Sequence, residues 1–220
     1  DGKLVDDVIV GCANPEGEQG FQIGRQISLR AIGKEVPGVT VNRYCASGLE
    51  TISIAVAKIK AGMGQCYIAG GTENMSMIPH YMQGRKGQKF GNIQIEDGLL
   101  KDGLVNVYDG KHMGTCGDAC AEKYEFSRED QDAFAISSYE RSATAWRTGK
   151  FDQEVIPVEI PQRRGEAIIL KEDEEYKNVK LEKVAQLRPA FSKEGTVTAA
   201  NASTLNDGAA ALVIMSREKA

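Results

Sequence analysis

Residues 39–76 read VTVNRYCASGLETISIAVAKIKAGMGQCYIAGGTENMS, and this stretch decides the fold. Residues 39–41 are β-branched and residues 66–69 form a second run that ends in paired glycines, so each run predicts a strand. Between the runs, apolar residues recur at helical spacing, at Leu49, Ile52, Val56 and Ile59. A strand, a helix and a second strand predict a βαβ unit, in which parallel strands are joined by a right-handed crossover.

The ends of the predicted helix carry signals of their own. Ser47 and Glu50 have the spacing of a capping box, and Gly62 lies where the helix is expected to stop. Cys45 therefore falls between the carboxyl end of a strand and the amino end of a helix. Unpaired N–H groups and the helix dipole favour an anion there, so Cys45 is expected to be a thiolate nucleophile beside donors for an oxyanion. The alternative is a small buried filler, as most single cysteines are.

Three stretches resemble one enzyme family. Residues 41–52, VNRYCASGLETI, resemble the acyl-enzyme signature of the thiolases, residues 69–76 resemble the strand and turn that follow it, and residues 196–216 resemble a later segment that returns to the core. The signature residues are Asn42, Cys45, Ser47 and Gly48. A hydrolase elbow, G-x-nucleophile-x-G, does not fit because Arg43 and Ser47 occupy the glycine positions. The resemblance implies that Cys45 is catalytic and carries the acyl group.

The composition sets limits on function. The chain has 220 residues, 41% of them hydrophobic, enough for a real core in one large or two modest domains. Its net charge of −4 gives no basic field for nucleic acid or an anionic membrane, and no stretch has the roughly 18 to 20 apolar residues of a membrane span. Five irregularly spaced cysteines fit reduced thiols. An intracellular, cytoplasmic protein is expected, with the mitochondrial matrix as the alternative.

The resemblance also implies the architecture. It predicts an α/β fold, a mixed, mostly parallel sheet flanked by helices, with an inserted loop domain. The core is expected at residues 1–79, with the family's first strand missing, the loop domain at residues 80–203, and a returning core strand at residues 204–220. Residues 208–215 are small and apolar and predict a buried strand. Exposed sheet edges predict an oligomer, as in the family, where homodimers and homotetramers are usual.

The family's coenzyme A contacts carry over onto this chain by resemblance. His112 and Met113 match a stretch that lines the acyl pocket, and Ser203 is expected to bind the pantetheine. The nucleotide of coenzyme A is expected to contact four residues that match nucleotide-binding positions of the family, namely Asn178, Val179, Lys180 and Lys183. In acetoacetyl-CoA thiolases of this type, a monovalent cation can be held by a tyrosine that matches Tyr139 and by the carbonyls of residues that match Ala199, Ala200 and Ala202. The resemblance therefore makes potassium a candidate ligand here. No other cofactor is expected, since coenzyme A is substrate and product.

Two other patterns have competing interpretations. His112, Cys116 and Cys120 recur every four residues, so on a helix they would form a soft-ligand face for zinc, but the glycines between them weaken that helix. Residues 84–91, GRKGQKFG, lack the G-K-[ST] ending of a P-loop and predict a solvated loop, although basic side chains there could meet nucleotide phosphates.

The predicted reaction interconverts two acetyl-CoA with acetoacetyl-CoA and coenzyme A by a ping-pong mechanism through acyl-Cys45. The family's second half supplies an N-E-A-F segment, a G-H-P histidine and a C-x-G cysteine, and none of these occurs in the 220 residues. The chain therefore resembles the N-terminal half of such an enzyme and is expected to be inactive alone. The alternative is a non-catalytic acyl-CoA-binding or assembly half that needs a partner. A third and weaker interpretation is a condensing enzyme such as a ketoacyl synthase, which shares the fold and the cysteine.

Overall fold

The structure, a computed structural model, describes residues 1–220. The chain divides into two compact units. The first unit comprises Asp1–Gly110 and Leu205–Ala220, and the second comprises Lys111–Thr204. Residues 80–110 thus group with the sheet, and the domain boundaries at residues 79/80 and 203/204 stay a prediction. No helix of the chain is both long enough and apolar enough to cross a membrane.

A four-stranded sheet forms the first unit. Its strands are β1 (Asp7–Gly11), β2 (Gly38–Val41), β3 (Cys66–Asn74) and β8 (Asp207–Met215), in the spatial order β2-β1-β3-β8. The first three strands are parallel, and β8 is antiparallel to β3. This confirms the mixed, mostly parallel sheet. The two strands of the predicted βαβ unit are parallel, but β1 lies between them.

Two helices cover the two faces of this sheet. Val8 and Val10 of β1 pack with Val36 and the isoleucines of α1 (Ile23–Ala31), whereas Ile9 packs with Ala55 of α2 (Ser47–Lys60). The alternation follows from the two-residue period of a strand. Both faces of β1 are therefore buried, and each fully buried valine or isoleucine contributes roughly 1.5–3 kcal/mol.

The predicted ends of α2 have different outcomes. The capping box is wrong, because Ala46 is the N-cap and makes no side-chain cap bond, while Ser47 is already helical. Glu50 forms an ion pair with Arg43 instead. The predicted stop is confirmed, since Gly62 has φ +71° and its N–H donates to the carbonyl of Ile59. A glycine adopts this left-handed conformation without the steric cost of a Cβ.

The burial predicted for residues 208–215 is wrong. These residues do form β8, but β8 is an edge strand and residues 207–213 are exposed. Leu212 and Val213 keep 54% and 64% of their surface accessible. A run of small and apolar residues predicts a strand, but it does not reveal how many neighbours that strand has.

The remaining elements of the first unit form the segment between β3 and residue 110. Two short strands, β4 (His80–Tyr81) and β5 (Glu96–Asp97), pair antiparallel, and a π-helical turn follows at Leu100–Leu104. Residues 84–91 lie in the connection between these strands, outside any helix or strand.

The second unit is mainly helical. It contains α3 (Gly114–Lys123), α4 (Arg128–Arg147) and α5 (Glu175–Asn178), with a two-stranded hairpin of β6 (Val158–Ile160) and β7 (Ile168–Leu170). Ser127 and Asp130 form the capping box that begins α4. A 3₁₀ helix at Leu181–Gln186 follows α5.

Candidate active site

The connection from β2 to α2 places Cys45 at a strand-to-helix corner. β2 ends at Val41, α2 begins at Ser47, and Cys45 is exposed between them. Tyr44, directly before it, has φ +49°, in the left-handed region that non-glycine residues rarely adopt. The predicted position of Cys45 is confirmed, and the buried-filler interpretation is wrong because the side chain is exposed.

Short polar side chains hold this corner. The Asn42 Oδ1 accepts the N–H of Tyr44 at 2.9 Å, and Ser47 Oγ accepts the N–H of Arg43 at 2.8 Å. The Ser47 hydroxyl also donates to the carbonyl of Tyr44 at 2.6 Å. Ser47, which is almost fully buried, therefore closes the turn around Cys45 rather than capping the helix from outside it.

A glycine of β1 lets the beginning of α2 lie close to the end of the sheet. A Cβ built on Gly11 would lie 2.5 Å from the carbonyl carbon of Ser47 and 2.8 Å from the nitrogen of Gly48. Real Cβ atoms do not approach backbone atoms so closely. The absence of a side chain at Gly11 is therefore what allows the corner with Cys45 to lie against β1.

Cys45 lines a cleft of about 500 Å³ in the first unit. The cleft is lined by Gly11, Gly48, Glu73, Leu104 and Ala209, among others. The first backbone bond of α2 runs from Glu50 N–H to Ala46 O, so the N–H groups of Gly48 and Leu49 precede the helical ladder. Such N–H groups attract an anion, which suits a thiolate or the oxyanion of a thioester under attack.

A second cysteine of this unit has a different environment. Cys12 is buried, and burial, with a smaller contribution from the charge of Glu73, raises the pKa of its thiol to about 12. Its Sγ lies 3.7 Å from Glu73 Oε1. Cys12 therefore stays protonated at neutral pH. Cys45, not Cys12, lines the cleft.

The residues predicted to contact coenzyme A all belong to the second unit. His112 stacks on Phe191, with ring centroids 4.6 Å apart, and its Nδ1 accepts the N–H of Gly114 at 3.0 Å. Met113 is exposed to 49%. Asn178 ends α5, and the next three predicted residues lie in or beside the 3₁₀ helix, at Val179, Lys180 and Lys183. Ser203 is exposed.

The residues predicted to hold potassium also belong to the second unit. Tyr139 lies on α4, and its hydroxyl donates to Glu175 Oε1 at 3.5 Å. Burial, together with the charge of Glu175, raises the pKa of Tyr139. Ala199, Ala200 and Ala202 lie in a turn region, where Ala200 is buried and the N–H of Ala202 donates to Thr198 O at 3.0 Å.

The second unit contains two polar networks that join residues far apart in the sequence. In one, Arg128 Nε donates to Asp132 Oδ2 at 2.8 Å, and Arg128 Nη2 donates to the carbonyls of Val184 and Leu187, both at 3.0 Å. The other oxygen of Asp132 accepts from Asn201 at 2.9 Å. The four-residue spacing of Arg128 and Asp132 on a helix is the one signal that could have shown this pair.

The second network is built on Asp118. Its carboxylate accepts the Ser192 hydroxyl at 2.7 Å and the N–H groups of Thr196 and Val197 at 2.8 and 2.9 Å. Burial opposes the charge, but these three bonds together outweigh it and lower the pKa of Asp118. Asp118 thus connects α3 to the segment that leads into residues 199–203.

The zinc interpretation finds no support. The structure has no group of three or more histidine, cysteine, aspartate or glutamate side chains arranged to hold a metal ion. Cys116 and Cys120 both lie on α3, but His112 precedes the helix.

Comparison with known proteins gives consistent matches. Residues 1–218 match the family described as Thiolase, N-terminal domain. The acetyl-CoA acetyltransferase of Schizosaccharomyces pombe is 45% identical over 218 residues, which are 98% of this chain and 55% of that protein. The mitochondrial acetyl-CoA acetyltransferase of Homo sapiens is 46% identical over 207 residues, 93% of this chain and 48% of that protein.

A solved structure shares the fold. A thiolase from Ascaris suum, crystallised in complex with coenzyme A, superposes with a TM-score of 0.90 at 41% identity, over 99% of this chain and 56% of that one. The chain spans about half the length of the curated relatives it matches.

Proposed function

This chain belongs to the thiolase family, and on that premise we propose that it carries the nucleophilic half of an acyltransferase that interconverts two acetyl-CoA with acetoacetyl-CoA and coenzyme A. The observation that supports this most directly is the exposed Cys45 at the strand-to-helix corner, in a cleft beside unbonded N–H groups of α2. The names of the similar acetyltransferases support the choice of acetyl-CoA.

The proposed first step is transthioesterification. The Cys45 thiolate attacks the carbonyl carbon of the thioester, a bond forms between Sγ and that carbon, and the negative charge moves to the carbonyl oxygen. The N–H groups at the start of α2 stabilise that oxyanion. The bond to the coenzyme A sulfur then breaks, and coenzyme A leaves as a thiolate that takes up a proton.

The proposed second step releases the acyl group in a ping-pong sequence. In the synthetic direction, the carbanion of a second acetyl-CoA attacks acyl-Cys45, and Sγ leaves as a thiolate. In the degradative direction, Cys45 attacks the 3-oxo carbon of acetoacetyl-CoA, and the bond between C2 and C3 breaks. Acetyl-CoA then leaves as a carbanion that takes up a proton, and coenzyme A takes the acyl group from Cys45 as a thioester. Both directions need a group that moves a proton to or from the incoming substrate. The family's histidine and second cysteine for this purpose have no counterpart in the 220 residues, so we propose that this chain alone forms acyl-Cys45 without completing turnover.

Residues of the second unit supply the proposed contacts with coenzyme A. Lys180 and Lys183 are exposed cations suited to phosphates, Asn178 and Val179 adjoin them, and Ser203 is an exposed hydroxyl for the pantetheine. His112 is held by its stacking on Phe191, with Met113 exposed beside it, as an acyl-pocket wall requires. The coenzyme A in the Ascaris suum structure supports this ligand.

A bound potassium ion is a further part of the proposal. Backbone carbonyls and a phenolic oxygen are hard ligands, which suit such a cation, and the Glu175 carboxylate beside Tyr139 supplies negative charge. The remaining ligands would be the carbonyls of Ala199, Ala200 and Ala202. The ion would order the turn next to Ser203. No further cofactor is proposed.

A non-catalytic half that binds acyl-CoA and needs a partner is the second candidate. The exposed apolar strand β8 favours this candidate, because a partner that buried Leu212 and Val213 would remove their apolar surface from water. We propose a homodimer or homotetramer for the assembled protein on the same ground. The human relative is named as mitochondrial and the Schizosaccharomyces pombe one is not, so the matrix and the cytoplasm both fit.

Intact-mass spectrometry after incubation with acetyl-CoA tests the proposal. The full chain is expected to gain one acetyl group, and peptide mapping is expected to place it on Cys45. Cys45→Ala should abolish the adduct, whereas Cys116→Ala, which removes another exposed cysteine, should leave it unchanged. Binding of coenzyme A without any adduct on Cys45 would favour the non-catalytic alternative.

A further inference from the structure

Glu73 is a carboxylate of β3 that lines the same cleft as Cys45. Both of its oxygens accept hydrogen bonds. Oε2 accepts the N–H of Ala13 at 2.7 Å, and Oε1 accepts the N–H of Asn14 at 3.1 Å and the Gln19 amide at 2.8 Å. Because donors occupy both oxygens, Glu73 is poorly placed to take a proton from a substrate.

The loop that follows β1 is fixed by these bonds. Asn14 and Gln19 are each only 5% exposed, and the Gln19 amide also donates to the carbonyl of Asn14 at 3.1 Å. Charged hydrogen bonds of this kind are stronger than those between neutral groups. Glu73 therefore determines where the peptide group between Ala13 and Asn14 lies.

The same peptide group is bonded to the corner that carries the nucleophile. The carbonyl of Ala13 accepts the Asn42 Nδ2 amide at 2.9 Å, and Asn42 Oδ1 accepts the N–H of Tyr44. Tyr44 has the strained φ of +49° and immediately precedes Cys45. A continuous chain of hydrogen bonds thus leads from Glu73 through the loop and Asn42 to Tyr44.

We propose that Glu73 is a positioning residue for Cys45. It holds the carbonyl of Ala13 in place, Ala13 orients Asn42, and Asn42 keeps Tyr44 in the left-handed conformation that directs Cys45 into the cleft. A strained conformation persists only where the surrounding structure holds it, and this chain of bonds supplies that restraint. The inference rests on the proposed role of Cys45 as nucleophile.

The variant Glu73→Gln tests this in the full chain, with Glu16→Gln as the matched control. Glu16 is an acid in the same neighbourhood, since burial, the charge of Asp102 and then the charge of Glu73 raise its pKa, but it lies outside the chain of bonds. In Glu73→Gln, amide hydrogen exchange measured by NMR is expected to rise about tenfold at Ala13, Asn14 and Tyr44. Glu16→Gln should leave all three unchanged.

Acetylation of Cys45 by acetyl-CoA is the second measurement. Glu73→Gln should slow it about tenfold, while alkylation of Cys116 by iodoacetamide in the same molecules stays unchanged. Asn42→Ala breaks the chain of bonds at an exposed residue and should cause the same loss. Because the two residues act in series, the double variant should be no slower than Asn42→Ala.

Faster exchange at Ala13 and Asn14 with unchanged Tyr44 and unchanged acetylation would overturn the inference, because Glu73 would then hold only its own loop. Additive losses in the double variant would overturn it as well. If Glu73→Gln does not fold, the Asn42→Ala variant is the test. Unchanged amide exchange at Tyr44 and unchanged acetylation of Cys45 in that variant would overturn the inference. If wild-type Cys45 takes no acetyl group, the proposed function fails, and Tyr44 exchange still decides whether Glu73 positions this corner.

Discussion

The two compact units are stabilised in different ways. In the first unit β1 is buried along its whole length, and Val8 and Ile9 have no exposed surface. The second unit buries fewer large apolar side chains, with Val184 the largest fully buried one, and it also buries Asp132 and Thr198. The candidate nucleophile thus lies in the unit with an apolar core, whereas the predicted coenzyme A residues lie on segments held by charged and polar bonds.

This difference has a physical consequence. Apolar burial is not directional and depends weakly on pH. A buried ion pair, in contrast, stops stabilising the fold once one partner is removed or neutralised. The first unit should respond to lost volume, and the second should respond to lost charge. Trp146, the only tryptophan, lies on α4, so its fluorescence reports on the second unit.

The largest expected effect is in the core of the first unit. Ile9→Ala should lower the free energy of unfolding by about 4 kcal/mol, because it removes a fully buried side chain and leaves a cavity beside Ala55 and Tyr67. Protection of the Tyr67 amide from hydrogen exchange measures this. Val107→Ala, at a residue exposed to 83%, is the matched control and should change little. A loss below about 1 kcal/mol would contradict an apolar core as the main support.

Removing one charge should destabilise the second unit. Arg128→Met should cost about 3 kcal/mol, because it leaves the Asp132 carboxylate almost buried without its ion-pair partner and frees the carbonyls of Val184 and Leu187. Urea unfolding followed by Trp146 fluorescence measures it. Arg147→Met, near the end of the same helix, is the control. Equal midpoints for the two variants would show that this pair does not hold the unit.

A smaller effect that depends on pH is expected at Asp118. Asp118→Asn should cost about 2 kcal/mol at neutral pH by weakening the charged bonds to Ser192 and to the backbone of Thr196 and Val197. The folded state lowers the pKa of Asp118 below its ordinary value of 3.8, so its contribution is complete above that pH and is lost as the pH falls through the folded-state pKa.

The urea midpoint of Trp146 fluorescence, followed from pH 7 downward, checks that sign. The difference between wild type and Asp118→Asn should be constant near neutral pH and should shrink once the pH falls below about 3.8. Asp152→Asn, an acid in the turn after α4, is the control. A difference that grew as the pH fell would contradict the assignment of the lowered pKa.

Local sequence signals predicted the elements that depend on local chemistry. The predicted stop of α2 at Gly62 is present, because a glycine in the left-handed conformation ends a helix within a few residues. The sequence pattern places the N-cap at Ser47, one position after the observed N-cap, Ala46. The Ser47 Oγ instead accepts the N–H of Arg43 and donates to the carbonyl of Tyr44.

Long-range contacts explain what sequence reasoning missed at the site. Glu73 lies 59 positions from Asn14 along the chain, and Arg128 lies 56 positions from Val184, so no local pattern relates them. The composition of β8 predicts a buried strand because it resembles that of a central strand, and only the strand order shows that β8 is an edge.

The sequence by itself determined the family, the α/β class, the stop of α2 at Gly62 and Cys45 as the candidate nucleophile, because these depend on residue type and spacing over short distances. Tertiary structure alone decided that β1 lies between β2 and β3, that β8 is exposed, and that Glu73 reaches the loop bonded to Asn42. The reason is that strand order, burial and hydrogen bonds between distant residues exist only once the chain has folded back on itself.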